Sequence, residues 1–189
     1  GPTLAAGDVT GDGLVDLVGG GAAIVVSAGR GNGEFDSPVL FPESPGRPEL
    51  ADVEGDSVAD IFVWNSSGLR ARIGLAASFE TVLFPGLQGF DIGDVDRDGL
   101  LDLVGGQGHL VSVAHGRGEG NFGDSRFVEP TGVRAGGVLG DLNADGIPDY
   151  AGGLGNRLFG SLGVGDGTYQ EVYLAVVEGI SVIIPAECM

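Results

Sequence analysis

One cysteine, Cys188, is all that the 189 residues contain, so no disulfide can close within the chain. Cysteine usage therefore gives no evidence for an oxidising compartment. Lysine is absent: the nine basic residues are all arginine, against 27 acidic ones, for a formal net charge of −18. A chain this acidic lacks the basic surface that nucleic acid requires, and anionic membranes repel it. Histidine is almost missing too. His109 and His115 have no third partner outside an acidic loop, so both read as solvated turn and strand positions rather than as a catalytic or zinc site. No G-x-S-x-G, H-E-x-x-H or Cys–His arrangement occurs, and the chain reads as non-catalytic. No apolar run is long enough to insert across a bilayer. With no initiator methionine and no signal-peptide pattern, it reads as a processed or excised piece, Gly1-Pro2 being a tag scar or native. No segment holds a helical hydrophobic period.

What is abundant is aspartate and glycine, in a fixed pattern. Asp94-Val95-Asp96-Arg97-Asp98-Gly99-Leu100-Leu101-Asp102 places carboxylates at positions 1, 3, 5 and 9 of a nine-residue loop and glycine at position 6. A loop curling round one point can turn Asp94, Asp96 and Asp98 inward. Gly99 then permits the positive-φ turn that brings the Leu100 carbonyl and Asp102 to the same centre. Carboxylates so close repel one another unless a cation sits among them, and Ca²⁺ accepts six to eight oxygens. An EF-hand needs glutamate at position 12 and flanking helices. Position 12 here is Gly105, and Leu103-Val104 suits a strand.

The loop recurs three more times. Loop one is Asp8, Thr10, Asp12, the Leu14 carbonyl and Asp16; loop two is Asp52, Glu54, Asp56, the Val58 carbonyl and Asp60; loop four is Asp141, Asn143, Asp145, the Ile147 carbonyl and Asp149. Thirteen of the 17 aspartates lie in these loops, so four Ca²⁺ ions would reduce the formal charge to −10. Loop two is the weak one, because Glu54 is longer than aspartate and Ser57 replaces the turn glycine. The first positions are spaced by 44, 42 and 47 residues, the period of a propeller blade or a similar repeat array. A second marker keeps phase: Phe35, Phe79, Phe122 and Tyr169 follow their loops by 27, 27, 28 and 28 residues, after turns that begin at Gly29, Gly74, Gly116 and Gly163.

These loops, with turns such as Gly163-Val164-Gly165-Asp166-Gly167-Thr168-Tyr169, resemble the FG-GAP/VCBS repeats found in integrin α-subunit propellers and in many secreted bacterial proteins. The resemblance covers roughly residues 1 to 175. It implies an all-β fold, a β-propeller segment of four four-stranded blades with a calcium loop between strands one and two of each. The family serves adhesion, sugar binding and structural roles, so one function does not follow.

On this reading residues 1–189 form one propeller domain or fragment, with blades at 1–43, 44–86, 87–130 and 131–175 and a tail at 176–189. Strand one of each blade is expected at residues 3–6, 49–51, 89–93 and 133–138. Strand two is expected at 16–18, 60–64, 102–104 and 149–151, with Gly19-Gly20, Gly105-Gly106 and Gly152-Gly153 following it. Strand three is expected at 23–27, 69–73, 110–114 and 158–162. Strand four is expected to end in 39–41, 82–84, 127–128 and 172–174, and the aromatic markers to pack between blades. Ile180 to Ile184 is a closing strand or the start of a truncated blade. Rings of this family hold more than four blades, so an open arc that self-associates or takes further blades is expected. Arg30 and Arg117 read as repeated turns rather than anion cradles, and Trp64, the only tryptophan, as a core residue. The function expected is a calcium-stabilised interaction or adhesion module, binding a protein or glycan ligand in an extracellular, cell-surface or periplasmic setting, where calcium is plentiful. The alternative is a lectin-like propeller, or the accessory domain of a secreted polysaccharide-active enzyme.

Overall fold

The computed structural model describes residues 3–42, 46–65, 68–74, 80–82, 89–107, 110–128, 137–154 and 157–172. Within them lie sixteen strands and no helix, grouped as four antiparallel four-stranded meanders, one per repeat. Sheet one is β1 (Thr3–Gly7), β2 (Asp16–Gly20), β3 (Ile24–Ser27) and β4 (Val39–Phe41). Sheet two is β5 (Arg47–Ala51), β6 (Asp60–Asn65), β7 (Gly68–Arg72) and β8 (Glu80–Val82). Sheet three is β9 (Phe90–Gly93), β10 (Asp102–Gln107), β11 (Leu110–Ala114) and β12 (Arg126–Val128). Sheet four is β13 (Val138–Gly140), β14 (Asp149–Leu154), β15 (Arg157–Gly163) and β16 (Tyr169–Val172). Phe79, His109, residues 83–84, 133–136 and 173–174, and the run 180–184 lie outside the described residues. So does the remainder of the tail. No helix among the described residues is long and apolar enough to cross a membrane.

The chain falls into two compact units, one of residues 1–85 with 118–120, the other of residues 86–117 with 121–189. In the first, Val18, Ile24 and Val26 of sheet one share a buried cluster with Ile61 and Val63 of sheet two, and Val9 of loop one plugs into it. In the second, Val104, Val111 and Val113 of sheet three meet Tyr150 and Tyr169 of sheet four, with Val95 of loop three. Period-two alternation drives this: along β2 and β3 every second residue is buried. Each fully buried valine or isoleucine is worth about 1.5–3 kcal/mol relative to exposure. A sheet of this kind needs its neighbour, because the cluster is built from the faces of two repeats.

Strand two is longer than the sequence indicates. The Gly-Gly pairs lie inside β2, β10 and β14 rather than after them, paired across to neighbouring strands. Close approach explains the first pair: a Cβ on Gly20 would stand 2.3 Å from Pro48 Cδ and 2.5 Å from the Gly46 carbonyl oxygen. Here the glycine admits a neighbouring repeat's backbone instead of ending the strand. The aromatic marker also differs from expectation. Tyr169 is buried in the second cluster, whereas Phe35 is 39% exposed. Phe35 pairs with Gly29 in a bridge, and its ring lies within 4 Å of where a Gly29 Cβ would stand, so it covers its own turn.

Candidate functional site

The four loops share one hydrogen-bond scheme. The position-1 carboxylate, Asp8, Asp52, Asp94 or Asp141, accepts through Oδ2 from the position-6 amide (Gly13, Ser57, Gly99, Gly146) at 2.7–3.0 Å. The position-5 carboxylate, Asp12, Asp56, Asp98 or Asp145, accepts through Oδ1 from the position-7 amide (Leu14, Val58, Leu100, Ile147) at 2.8 Å each time. Thr10, Glu54, Asp96 and Asn143 occupy position 3. Four different sequences thus fold into one loop.

Position 9 does more than the sequence reading gives it. Asp16, Asp60, Asp102 and Asp149 are each fully buried. Oδ2 of each accepts from the position-2 amide, Val9, Val53, Val95 or Leu142, at 2.7–2.9 Å. Oδ1 of each accepts from the glycine that opens the turn between strands three and four: Gly29, Gly74, Gly116 or Gly163. A Cβ on Gly29, Gly116 or Gly163 would fall within 2.5 Å of a loop carbonyl, that of Val15, Leu101 or Pro148. The calcium-type loop and the glycine-aromatic turn are therefore two halves of one device, joined by a buried carboxylate. Their common phase in the sequence has this physical cause. Oδ1 of that carboxylate keeps a second lone pair after accepting its amide, whereas Oδ2 of Asp16 accepts a second amide, from Thr10 at 3.0 Å.

A second geometry common to the four loops has no sequence signal in repeats three and four. Position 6 is left-handed throughout, at Gly13, Ser57, Gly99 and Gly146 (φ 71° to 88°). Position 4 is left-handed as well, at Gly11, Gly55, Arg97 and Ala144 (φ 62° to 76°). Glycine marks it in loops one and two; Arg97 and Ala144 adopt it with a Cβ, at a cost of roughly 1–2 kcal/mol each. Ser57 adopts the strained φ rather than reshaping its turn.

Charge placement differs among loops. Asp94, Asp96 and Asp98 each offer an oxygen within 4.8 Å of the others. Oxygens ligating one Ca²⁺ at about 2.3–2.6 Å can lie at most ~5 Å apart, so this all-oxygen set fits that ion. Loops one, two and four form no such group of three among the described residues. A Cβ on Gly74 would stand 2.7 Å from Glu54 Oε2, so that side chain lies over the neighbouring turn. Burial and the repulsion of Asp60, Asp56 and Asp52 raise the Glu54 pKa above the ordinary glutamate value. Burial works against Asp8, but the amides of Gly13, Gly11 and Thr10 outweigh it and hold its carboxyl below the ordinary value. Asp145 is lowered by hydrogen bonds from Asn143 and the Ile147 amide. Asp60 and Asp102 are raised, burial outweighing the amides of Val53 and Gly74 in one and of Gly116 and Val95 in the other.

His115 keeps a side chain 36% exposed, as a solvated residue would, but has acidic neighbours that the sequence does not indicate. Its Nδ1 stands 3.1 Å from Asp96 Oδ2 and 3.6 Å from Asp102 Oδ1, brought there because Gly116 is tied to Asp102. Arg30 binds Asp36 through Nε at 2.7 Å, and Arg117 packs against Gly123; both are turn contacts, as expected. Trp64 is half-buried on β6.

An FG-GAP-like repeat model matches residues 89–152, which include loops three and four. This stretch is an FG-GAP-like repeat. Loops one and two, outside the match, carry the same hydrogen-bond scheme as the FG-GAP-like pair. No curated protein is significantly similar in sequence. Among solved structures, a lectin of Agrocybe aegerita that specifically recognises non-reducing terminal N-acetylglucosamine superposes with a TM-score of 0.64 at 22% identity, over 96% of this chain and 51% of the lectin. A mutant Tc holotoxin pore of Photorhabdus luminescens gives a TM-score of 0.53 at 22% identity, over 95% of this chain and 10% of the toxin chain. The chain thus spans about half the length of the lectin, and what it shares with both is the fold.

Proposed function

We propose that the chain is a calcium-stabilised, non-catalytic binding module, its four sheets acting as four blades of a β-propeller outside the cell, at a cell surface or in the periplasm. The observation that carries this reading is loop three, where three carboxylates converge within a span that suits Ca²⁺ in a chain without lysine. Asp94, Asp96, Asp98, Asp102 and the Leu100 carbonyl would hold the ion there. Calcium would supply the positive charge that lets the carboxylates share one centre. The corresponding residues hold it in loops one and four, with Thr10 and Asn143 as neutral ligands, and more weakly in loop two.

The ligand class to test first is a glycan, with a protein ligand as the other. The fold likeness to a sugar-specific lectin supports a glycan. A pocket of about 270 Å³ in the second unit offers one place for it, lined by Ile92, Leu139, Ile147 and Pro148 together with Asp141 of loop four. A glycan array probed with and without calcium tests the reading. Calcium-dependent binding to a defined sugar supports the lectin form, and no sugar binding in either condition leaves adhesion to protein.

A further inference from the structure

The structure points to a second kind of metal site: we propose that Asp96, Asp102 and His115 bind a first-row transition dication of the zinc type, in competition with calcium for Asp96 and Asp102. Three ligand atoms converge here, Asp96 Oδ2, Asp102 Oδ1 and His115 Nδ1, all within 4.8 Å of one another. The Nδ1 separations of 3.1 and 3.6 Å bracket the edge of about 3.3 Å that ligands some 2.0–2.1 Å from a tetrahedral ion would show. Nδ1 itself is enclosed and has no hydrogen-bond partner, despite its closeness to two carboxylates. An ordinary His–Asp pair would aim an N–H at one oxygen. Here the ring nitrogen stands within reach of two carboxylate oxygens at once.

The site is also held in place by its surroundings. Asp102 is fully buried and its two oxygens are fixed by the Gly116 and Val95 amides. Asp96 accepts from the Asp98 amide through its other oxygen, at 3.1 Å. The imidazole packs closely against Gly167 of the same unit: a Cβ there would stand 2.2 Å from His115 Cε1 and 2.8 Å from Nε2. The Gly167 amide in turn donates to the Val95 carbonyl at 3.2 Å. Imidazole nitrogen is a poor ligand for calcium and a good one for zinc, cobalt or nickel, so a donor set of one nitrogen and two oxygens selects a different ion from the all-oxygen loops. Three protein ligands leave a fourth position for water.

The test uses the full chain carrying Cys188→Ser, which removes the one competing thiol. Zn²⁺ binding is measured by equilibrium dialysis, and Co²⁺ is used as a visible-absorption probe of nitrogen ligation. One tight equivalent of Zn²⁺ is expected, lost by at least about tenfold in His115→Ala and in His115→Gln, since even an outer-shell change costs ~10–100-fold. His109→Ala should bind as the parent does. Unchanged circular dichroism in the His115 variants shows that the fold is intact. Equal zinc affinity in the parent and both His115 variants, or no zinc binding in the parent, overturns the proposal and leaves an ion pair only. Calcium uptake measured in the same samples separates this inference from the calcium reading: zinc without calcium contradicts only the latter, calcium without zinc only the former.

Discussion

The buried position-9 aspartate ties loop to turn, and on the calcium reading it is a ligand as well. Replacing Asp149 by asparagine keeps an acceptor at one oxygen but turns an NH₂ against an amide donor. Asp149→Asn is therefore expected to lower stability by about 2–3 kcal/mol even without metal, the range for a charged hydrogen bond with a buried group left unpaired. Denaturant melts in chelator check this. Asp145→Asn, on the exposed rim of the same loop, should leave those melts nearly unchanged while weakening metal binding. Backbone strain gives a second residue-level expectation. Ala144 holds φ +62°, so Ala144→Gly should stabilise the chain by up to about 1 kcal/mol, the left-handed penalty less glycine's entropy cost. Ser57→Gly should act likewise and raise calcium affinity at loop two. A destabilising Ala144→Gly would show that the loop is relaxed at that position. The position-6 turn was legible because glycine marks it in three loops. Position 4 was not, because Arg97 and Ala144 take the same conformation against their preference.

At the scale of the element, loop, strand two and the following turn behave as one unit, since a single carboxylate binds both ends. The phase of the aromatic marker was readable; its reason was not, because the Gly29–Phe35 bridge and the Asp16–Gly29 bond are visible only once the strands pair. The acidic neighbours of His115 were hidden for the same reason: fourteen residues separate Gly116 from Asp102, and only the fold closes that gap. Burial has a consequence for pH. Asp60 and Asp102 lie above their ordinary value, so the folded, metal-free chain takes up protons before the unfolded one. Their contribution to stability is full below the unfolded value of 3.8 and is lost as pH rises through their folded values. Asp8, Asp145 and Asp166 work oppositely, but only below 3.8. Calcium-free protein should therefore melt at higher temperature in mildly acidic buffer than at neutrality, and saturating calcium should shrink or reverse that difference. A calcium-free melting point that falls steadily on mild acidification would contradict it.

Across the molecule, the position-2 residue shows where repeats need neighbours. Val9, Val53 and Val95 are buried, Val9 and Val95 against the sheets of the next repeats in their units, while the equivalent Leu142 of the last loop is 41% exposed. On the propeller reading this residue awaits a further blade, from the same chain or a second copy. Self-association seen by light scattering should then be reduced by Leu142→Glu, whereas a monomer at every concentration would remove the case for an open edge. If calcium holds the loops together, thermal unfolding with and without the ion will show it. At free calcium about ten times Kd, each site adds ~1.4 kcal/mol, or about 4 kcal/mol for three sites. For a chain of this size that corresponds to roughly 10 °C in melting temperature. A drop of that order on moving from millimolar calcium to chelator is expected, and superimposable melting curves would contradict it.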